Sequence, residues 1–208
     1  MKHPWQEIAL SDYENHMKLD SVLQLQGMNA MMKDQLALGT GGAVMILGVA
    51  GGNGLEHIRK DRWRRVYGVD INAAYLRETA RRHPELEGVL ECLQVDLAQE
   101  AHRLPKVDLV IANLLVEYIG YGCFRQVIRQ AEPETVSCII QINTEDGWVS
   151  DSPYLHVFDG LETIHCQMEK SALTAAMAEI GYRRTAVLEH PLPNGKQLVQ
   201  LDFQKNIG

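Results

Sequence analysis

An apolar run, "AVMIL" at 43–47, leads straight into "GVAGGNG", which packs four glycines into positions 48–54. No regular element tolerates that density of glycine, because each one adds backbone freedom that a helix or strand must suppress. The chain therefore turns sharply here. A strand that ends on such a turn delivers backbone N–H groups to one edge of a sheet, and glycine lets another body approach the main chain closely. An ordinary strand-to-helix turn needs fewer glycines, so the run points to a ligand held against the backbone.

The rest of the chain continues the pattern. "RVYGVD" ending at Asp70, "LECLQVD" ending at Asp96, "KVDLVIAN" ending near Asn113 and "VSCIIQIN" read as further strands. "LEHIRKDRW", "NAAYLRETARRH", "GCFRQVIRQA" and "EKSALTAAMAEIG" read as helices between or after them, with Pro84, Pro133 and Gly181 as stops. Strands alternating with helices predict an α/β fold, a Rossmann-like and mostly parallel sheet with helices on both faces. "YRRTAVLEHPL" and "KQLVQLDFQK", joined through "PLPNGK", add a terminal antiparallel hairpin and bring the expected strand count to seven.

Residues 5–37 are rich in helix formers and read as one or two helices, with a break at Gly27. The expected division is an N-terminal helical cap or lid over 1–38 and a ligand-binding domain over 39–208. An insertion at about 143–166 carries mixed signals, so loop and short hairpin both remain open.

Composition narrows the partners. The 208 residues suit one medium domain, and 27 acidic against 20 basic residues give a net charge of -7. The strongest basic run, "RKDRWRR" at 59–65, is interrupted by an acid, so no nucleic-acid partner is expected. Four cysteines lack metal or redox spacing, and no metal site is expected. With neither a signal-peptide pattern nor an apolar run of about 20 residues, the expectation is a cytoplasmic protein without a membrane partner. Oligomeric state is not legible.

Which ligand the glycines serve follows from what flanks them. A P-loop needs Lys and then Ser or Thr after its last glycine, and the chain offers "GLEHIRK". A dinucleotide fingerprint starting at Gly52 would read "GNGLEH", with His57 where a small residue belongs. Asp70, at the end of the second strand, is placed to accept both hydroxyls of a ribose. Asp96 stands at the matching place on the third strand, within reach of an adenine amino group. Together they argue for a nucleoside.

The ordered set "MILGVAGGNG", "VYGVD", "LQVDLAQ" and "VDLVIANLLVEYIG", closed by "EIGYRRTAVLE" and "KQLVQLDFQK", resembles the class I S-adenosylmethionine-dependent methyltransferases over about residues 43–208. The resemblance implies S-adenosyl-L-methionine as cofactor and S-adenosyl-L-homocysteine as its product. It implies that Gly48, Ala50, Gly52 and Gly54 hold the methionine part and Asp70 the ribose. By the same resemblance Asp96 and Leu97 hold the adenine, and Asn113 lies near the transferable methyl. Two departures stand out. An acidic residue common in the family is Gly48 here, and the family's first motif glycine is Ala50.

A sulfonium methyl is already activated, so the protein's main task is to align a nucleophile and exclude water. Candidates for touching that nucleophile are Glu117 and Tyr118 beyond the fourth strand, and Tyr13 and His16 on one face of an N-terminal helix. His16, if near its ordinary pKa, would be a proton acceptor. The insertion adds Trp148, Tyr154, His156 and His165, and Met17, Met28, Met31 and Met32 suit either an adaptable cavity or plain packing. The fourth strand ends in "NLLVEY" rather than the "NPPY" type of nucleobase-modifying relatives, which weighs against DNA or RNA; with no appended recognition domain evident and short pocket-covering segments, a small-molecule acceptor is expected. A protein acceptor, a non-catalytic nucleoside-binding protein and an NAD-dependent oxidoreductase are the alternatives.

Overall fold

The computed structural model describes residues 3–143 and 149–206. Seven strands form one sheet: β1 Gly42–Leu47, β2 Trp63–Asp70, β3 Leu90–Gln94, β4 Leu109–Asn113, β5 Thr135–Ile142, β6 Tyr182–Pro191 and β7 Gln197–Lys205. Their spatial order is β3-β2-β1-β4-β5-β7-β6. β1 to β5 are parallel, and β7 runs antiparallel between β5 and β6. The chain reverses its direction of travel across the sheet at β1 and β4, so both end beside the crevice that open α/β sheets use for ligands.

Sequence explains the central strands. β1 and β4 are covered on both faces and are continuous apolar runs, as a buried parallel sheet requires. One face packs on α5 (Val116–Ala131) and α6 (Lys170–Ala178), through Phe124, Val127, Ile128, Leu173 and Met177. The other packs on α2 (Gln24–Ala37) and α3 (Ala73–Arg82), through Met32, Leu36 and Leu76. Met28 and Met31 extend α2 across to Ile139 and Leu198 on β5 and β7. No helix among the described residues is long and apolar enough to cross a membrane.

Three local expectations change. The N-terminal break falls at 18–23, between α1 (Leu10–Met17) and α2, where Leu23 takes a positive φ of 51°. Gly27 lies inside α2 instead, and an added Cβ would stand 3.1–3.2 Å from His190 and Leu198. It is glycine for packing. "LEHIRKDRW" forms only a 3-10 turn at Leu55–His57. Asn29 of α2 explains this: it bonds the Asn53, Glu56 and His57 side chains at 2.6–2.9 Å and holds the segment against α2. The described part of the insertion is a run of 3-10 turns at Leu155–Thr163, and Trp148 lies outside the described residues.

Candidate active site

The glycine loop and the ends of β2 and β4, with the segment after β3, enclose a cavity of about 270 Å³. That is close to the lower end of small-ligand sites, roughly 300–1,000 Å³. Gly48, Ala50, Asp70, Asp96, Leu97 and Asn113 all line it, with Tyr13 and Tyr118. Gly48 has φ 67°, and an added Cβ would stand 3.2 Å from Leu115. Ala50 sits at φ 48°, a left-handed conformation that costs a non-glycine residue about 1 kcal/mol or more. Two bonds hold it there. Its N–H donates to Asp70 Oδ2 at 3.0 Å, and its carbonyl accepts from Thr79 Oγ1 at 2.6 Å.

Asp70 is the electrostatic centre of this cavity. Burial raises its pKa to about 6, and the backbone N–H groups of Asn72 and Ala50 offset part of that rise. Asn72 N–H donates to Oδ1 at 2.8 Å. A partly buried carboxylate facing a cavity gains from further donors, and two vicinal hydroxyls supply them. Asp96 accepts from Ala98 N–H at 2.9 Å and so caps α4 (Leu97–Glu100), placing Leu97 and Ala98 on the wall. These groups fit an adenosyl ligand: a carboxylate for the ribose, an apolar wall for a base, and a bare backbone at Gly48.

The other predicted residues part company. Gly52 and Gly54 are not on the cavity wall. Added Cβ atoms there would stand 2.7 Å from His83 and 2.6 Å from Met32, and both residues have positive φ. They let the loop seat against its own protein. Asn113 reaches the wall, but its amide makes a reciprocal pair with Gln35 of α2, both bonds 2.9 Å. Gln35 continues to Ser137, and Ser137 donates to Asp202, so a buried polar chain runs beneath β4, β5 and β7.

His16 and Glu117 line a second, smaller cavity of about 50 Å³ with Tyr13 and Tyr118. Trp5, Tyr13, Leu114 and Tyr118 border both cavities. Trp5 meets Tyr13 and Tyr118 edge-on, at centroid distances of 5.7 and 4.9 Å. His16 does not keep an ordinary pKa. Burial, then Lys196, lowers it to about 4, so the ring is neutral near pH 7, within 2.8 Å of Ser152 Oγ. Glu117 is pushed up to about 7 by burial; its Oε1 accepts from Gln141 N–H at 2.9 Å, and its Oε2 has no partner among the described residues. Burial also drives both tyrosines upward, so they stay protonated.

Residues 3–17 cover the larger cavity. Asn72 Nδ2 donates to the Trp5 carbonyl at 2.9 Å, and Tyr75 OH to the Ile8 carbonyl at 3.0 Å. Arg82 bonds Glu14 through both of its terminal nitrogens. Trp5, Tyr75 and Leu115 were not among the residues singled out from sequence; nothing in "HPWQ" marks a wall residue. Of the insertion aromatics, His165 lines the second cavity and faces Tyr118 at 5.7 Å. Tyr154 packs in the aromatic cluster beside it, while His156 is exposed and pairs with Asp159. Met17 lines the second cavity, and Met28 and Met32 line a third of about 40 Å³ under the glycine loop. Among the described residues no group of three metal-ligating side chains comes together.

No family model and no curated protein matches the chain. Solved structures do. The magnesium protoporphyrin IX methyltransferase of Synechocystis PCC 6803, solved with bound SAM, superposes with a TM-score of 0.60 at 14% identity, over 88% of this chain and 79% of that one. The N-methyltransferase NodS of Bradyrhizobium japonicum WM9 gives 0.61 at 11%, over 91% and 100%. The cyclase SpnF gives 0.66 at 11%, over 87% and 80%. With its sheet order and antiparallel β7, the chain has the fold of the class I S-adenosylmethionine-dependent methyltransferases.

Proposed function

We propose that the chain transfers a methyl group from S-adenosyl-L-methionine to a nucleophile on a small molecule. One observation carries this reading: a nucleoside-sized cavity with a partly buried carboxylate shares an aromatic border with a smaller cavity lined by Glu117 and His16. Two substrates can thus meet end to end while residues 3–17 exclude water. Fold alone would not suffice, since one of the structural relatives is a cyclase.

The cofactor, when bound, supplies a methyl on a positive sulfur. Asp70 would hold the ribose, Asp96, Leu97 and Ala98 the adenine side, and Gly48 with Ala50 the methionine end. Tyr13, Tyr118 and Trp5 would keep the reacting ends dry, and Glu117 and His16 would meet the acceptor. In this reading residues 3–17 are the lid, and a small acceptor fits a pocket of about 50 Å³ better than a protein side chain on its backbone does.

Calorimetry with S-adenosylmethionine, S-adenosylhomocysteine and NAD in parallel tests the assignment. Both adenosyl compounds are expected to bind one to one, near micromolar, which is about -8 kcal/mol. Binding of NAD without either adenosyl compound would overturn it.

A further inference from the structure

We propose that the smaller cavity takes a basic nitrogen, a primary or secondary amine or a ring nitrogen, as the methyl acceptor, and that Glu117 is the carboxylate receiving its N–H. This rests on the methyl-transfer reading above. Glu117 is 3% exposed and sits in the first turn of α5, lining the cavity. Its Oε1 is engaged by the Gln141 backbone, and its Oε2 has no hydrogen-bond partner among the described residues. A buried carboxylate oxygen without a donor is costly, so the site is complete only when a ligand brings one.

The two glutamine amides lining the cavity donate elsewhere. The Gln24 amide donates to Gln141, and the Gln141 amide donates to Asn143 at 2.6 Å. Trp5, Tyr13, Tyr118 and Phe158 supply aromatic surface around the same space, and aromatic faces attract a desolvated cation. No Lys or Arg stands among the described lining residues. A phenolate, thiolate or carboxylate would therefore meet Glu117 without a counter-charge. Lys196, the buried cation nearby, acts on His16 and His165, whereas Glu117 is governed by burial and by backbone hydrogen bonds. The nitrogen belongs at the Glu117 side, where Tyr118 borders both cavities.

The step balances. Glu117 takes the proton of the ammonium and frees the nitrogen lone pair. That lone pair forms the N–C bond as the C–S bond breaks, and sulfur keeps the bonding pair. The products are S-adenosylhomocysteine and a protonated N-methylamine. A carboxyl group poised at about 7 suits such a proton exchange near neutral pH.

The test uses the full chain saturated with S-adenosylhomocysteine. Benzylamine, piperidine and imidazole are titrated by calorimetry against benzyl alcohol, phenol and benzyl mercaptan, and the same compounds are assayed for methyl transfer. The amines are expected to bind and to be methylated in preference. Glu117→Gln keeps a carbonyl for the Gln141 N–H. It should weaken amine binding about 10- to 100-fold, the loss of one charged hydrogen bond, without changing the affinity for S-adenosylhomocysteine. Preference for the phenol, alcohol or thiol overturns the proposal. So does intact S-adenosylhomocysteine binding with neither amine binding nor transfer, or unchanged amine affinity in Glu117→Gln. Failure of S-adenosylhomocysteine to bind the native chain would instead remove the reading on which the proposal rests.

Discussion

The two cavities differ in what builds them. The larger is made from strand ends: Asp70 closes β2, Asn113 closes β4, and Asp96 follows β3 by two residues. The smaller takes Leu114, just past β4, and Gln141 of β5 from the sheet but is otherwise made from pieces without a common frame, namely residues 5–24, the head of α5 and an irregular stretch around 149–165. A sheet edge has one geometry imposed by its hydrogen-bond ladder, so its ligand residues fall at fixed places in sequence. Loops and short helices have no such rule, so the second cavity is free to suit one substrate. The first reads as general equipment and the second as individual.

Breaking this division should show first at Asp70. Asp70→Asn is expected to weaken S-adenosylhomocysteine binding about 100-fold, as charged hydrogen bonds to two hydroxyls become neutral ones. A loss below threefold by calorimetry would mean that the strand-end carboxylate is structural only. Gly54→Ala sharpens the boundary from the other side. It adds a Cβ at positive φ that would crowd Met32, and should cost about 1–3 kcal/mol in urea unfolding. Its affinity for S-adenosylhomocysteine should stay native, because the residue is off the wall.

Glu117 gives a pH signature. Its folded pKa, about 7, lies above the ordinary carboxylate range, so the folded state holds the proton more tightly than the unfolded chain. Its contribution to stability is therefore present at low pH and falls as pH rises through about 7. His16, lowered to about 4, acts in the opposite sense: its contribution is present above its unfolded value and is lost as pH falls. The difference in melting temperature between the native chain and Glu117→Gln isolates the first effect. That difference should move against the native chain from pH 5 to pH 8, and a flat difference would place Glu117 outside the buried pocket. The smallest effect is expected at residues 3–17. Arg82→Gln removes partly exposed ion pairs to Glu14 and Glu78, each worth about 0.2–1 kcal/mol, and should speed S-adenosylhomocysteine release only a few-fold in stopped flow.

The same division decides how far the sequence could be read. Every strand, the terminal hairpin and the carboxylates at 70 and 96 follow from apolar runs that end in polar residues. The glycines were half legible. Gly48 borders the larger cavity, but Gly52 and Gly54 answer to His83 and Met32, contacts that depend on where distant segments pack. The missing helix after β1 was hidden for a similar reason, since Asn29 in α2 holds "NGLEH" in turns from some 25 residues away. His16 and Glu117 were legible as polar residues near the right edge, but their protonation was not. Burial sets it, and burial is a property of the assembled walls. Trp5 carried no local signal at all.

Gly120 breaks α5 with φ 71° and ψ 162°, directly after Glu117, Tyr118 and Ile119. Behind it Phe124, Val127 and Ile128 are locked in the main core. The break acts as a joint between a tool head and its handle. Glu117 and Tyr118, which line the smaller cavity, can be exchanged for other side chains while Val116, Phe124, Val127 and Ile128 keep their places in the core. A new specificity can thus arise by small changes ahead of the joint, while the hydrophobic contacts that keep the protein folded stay as they were.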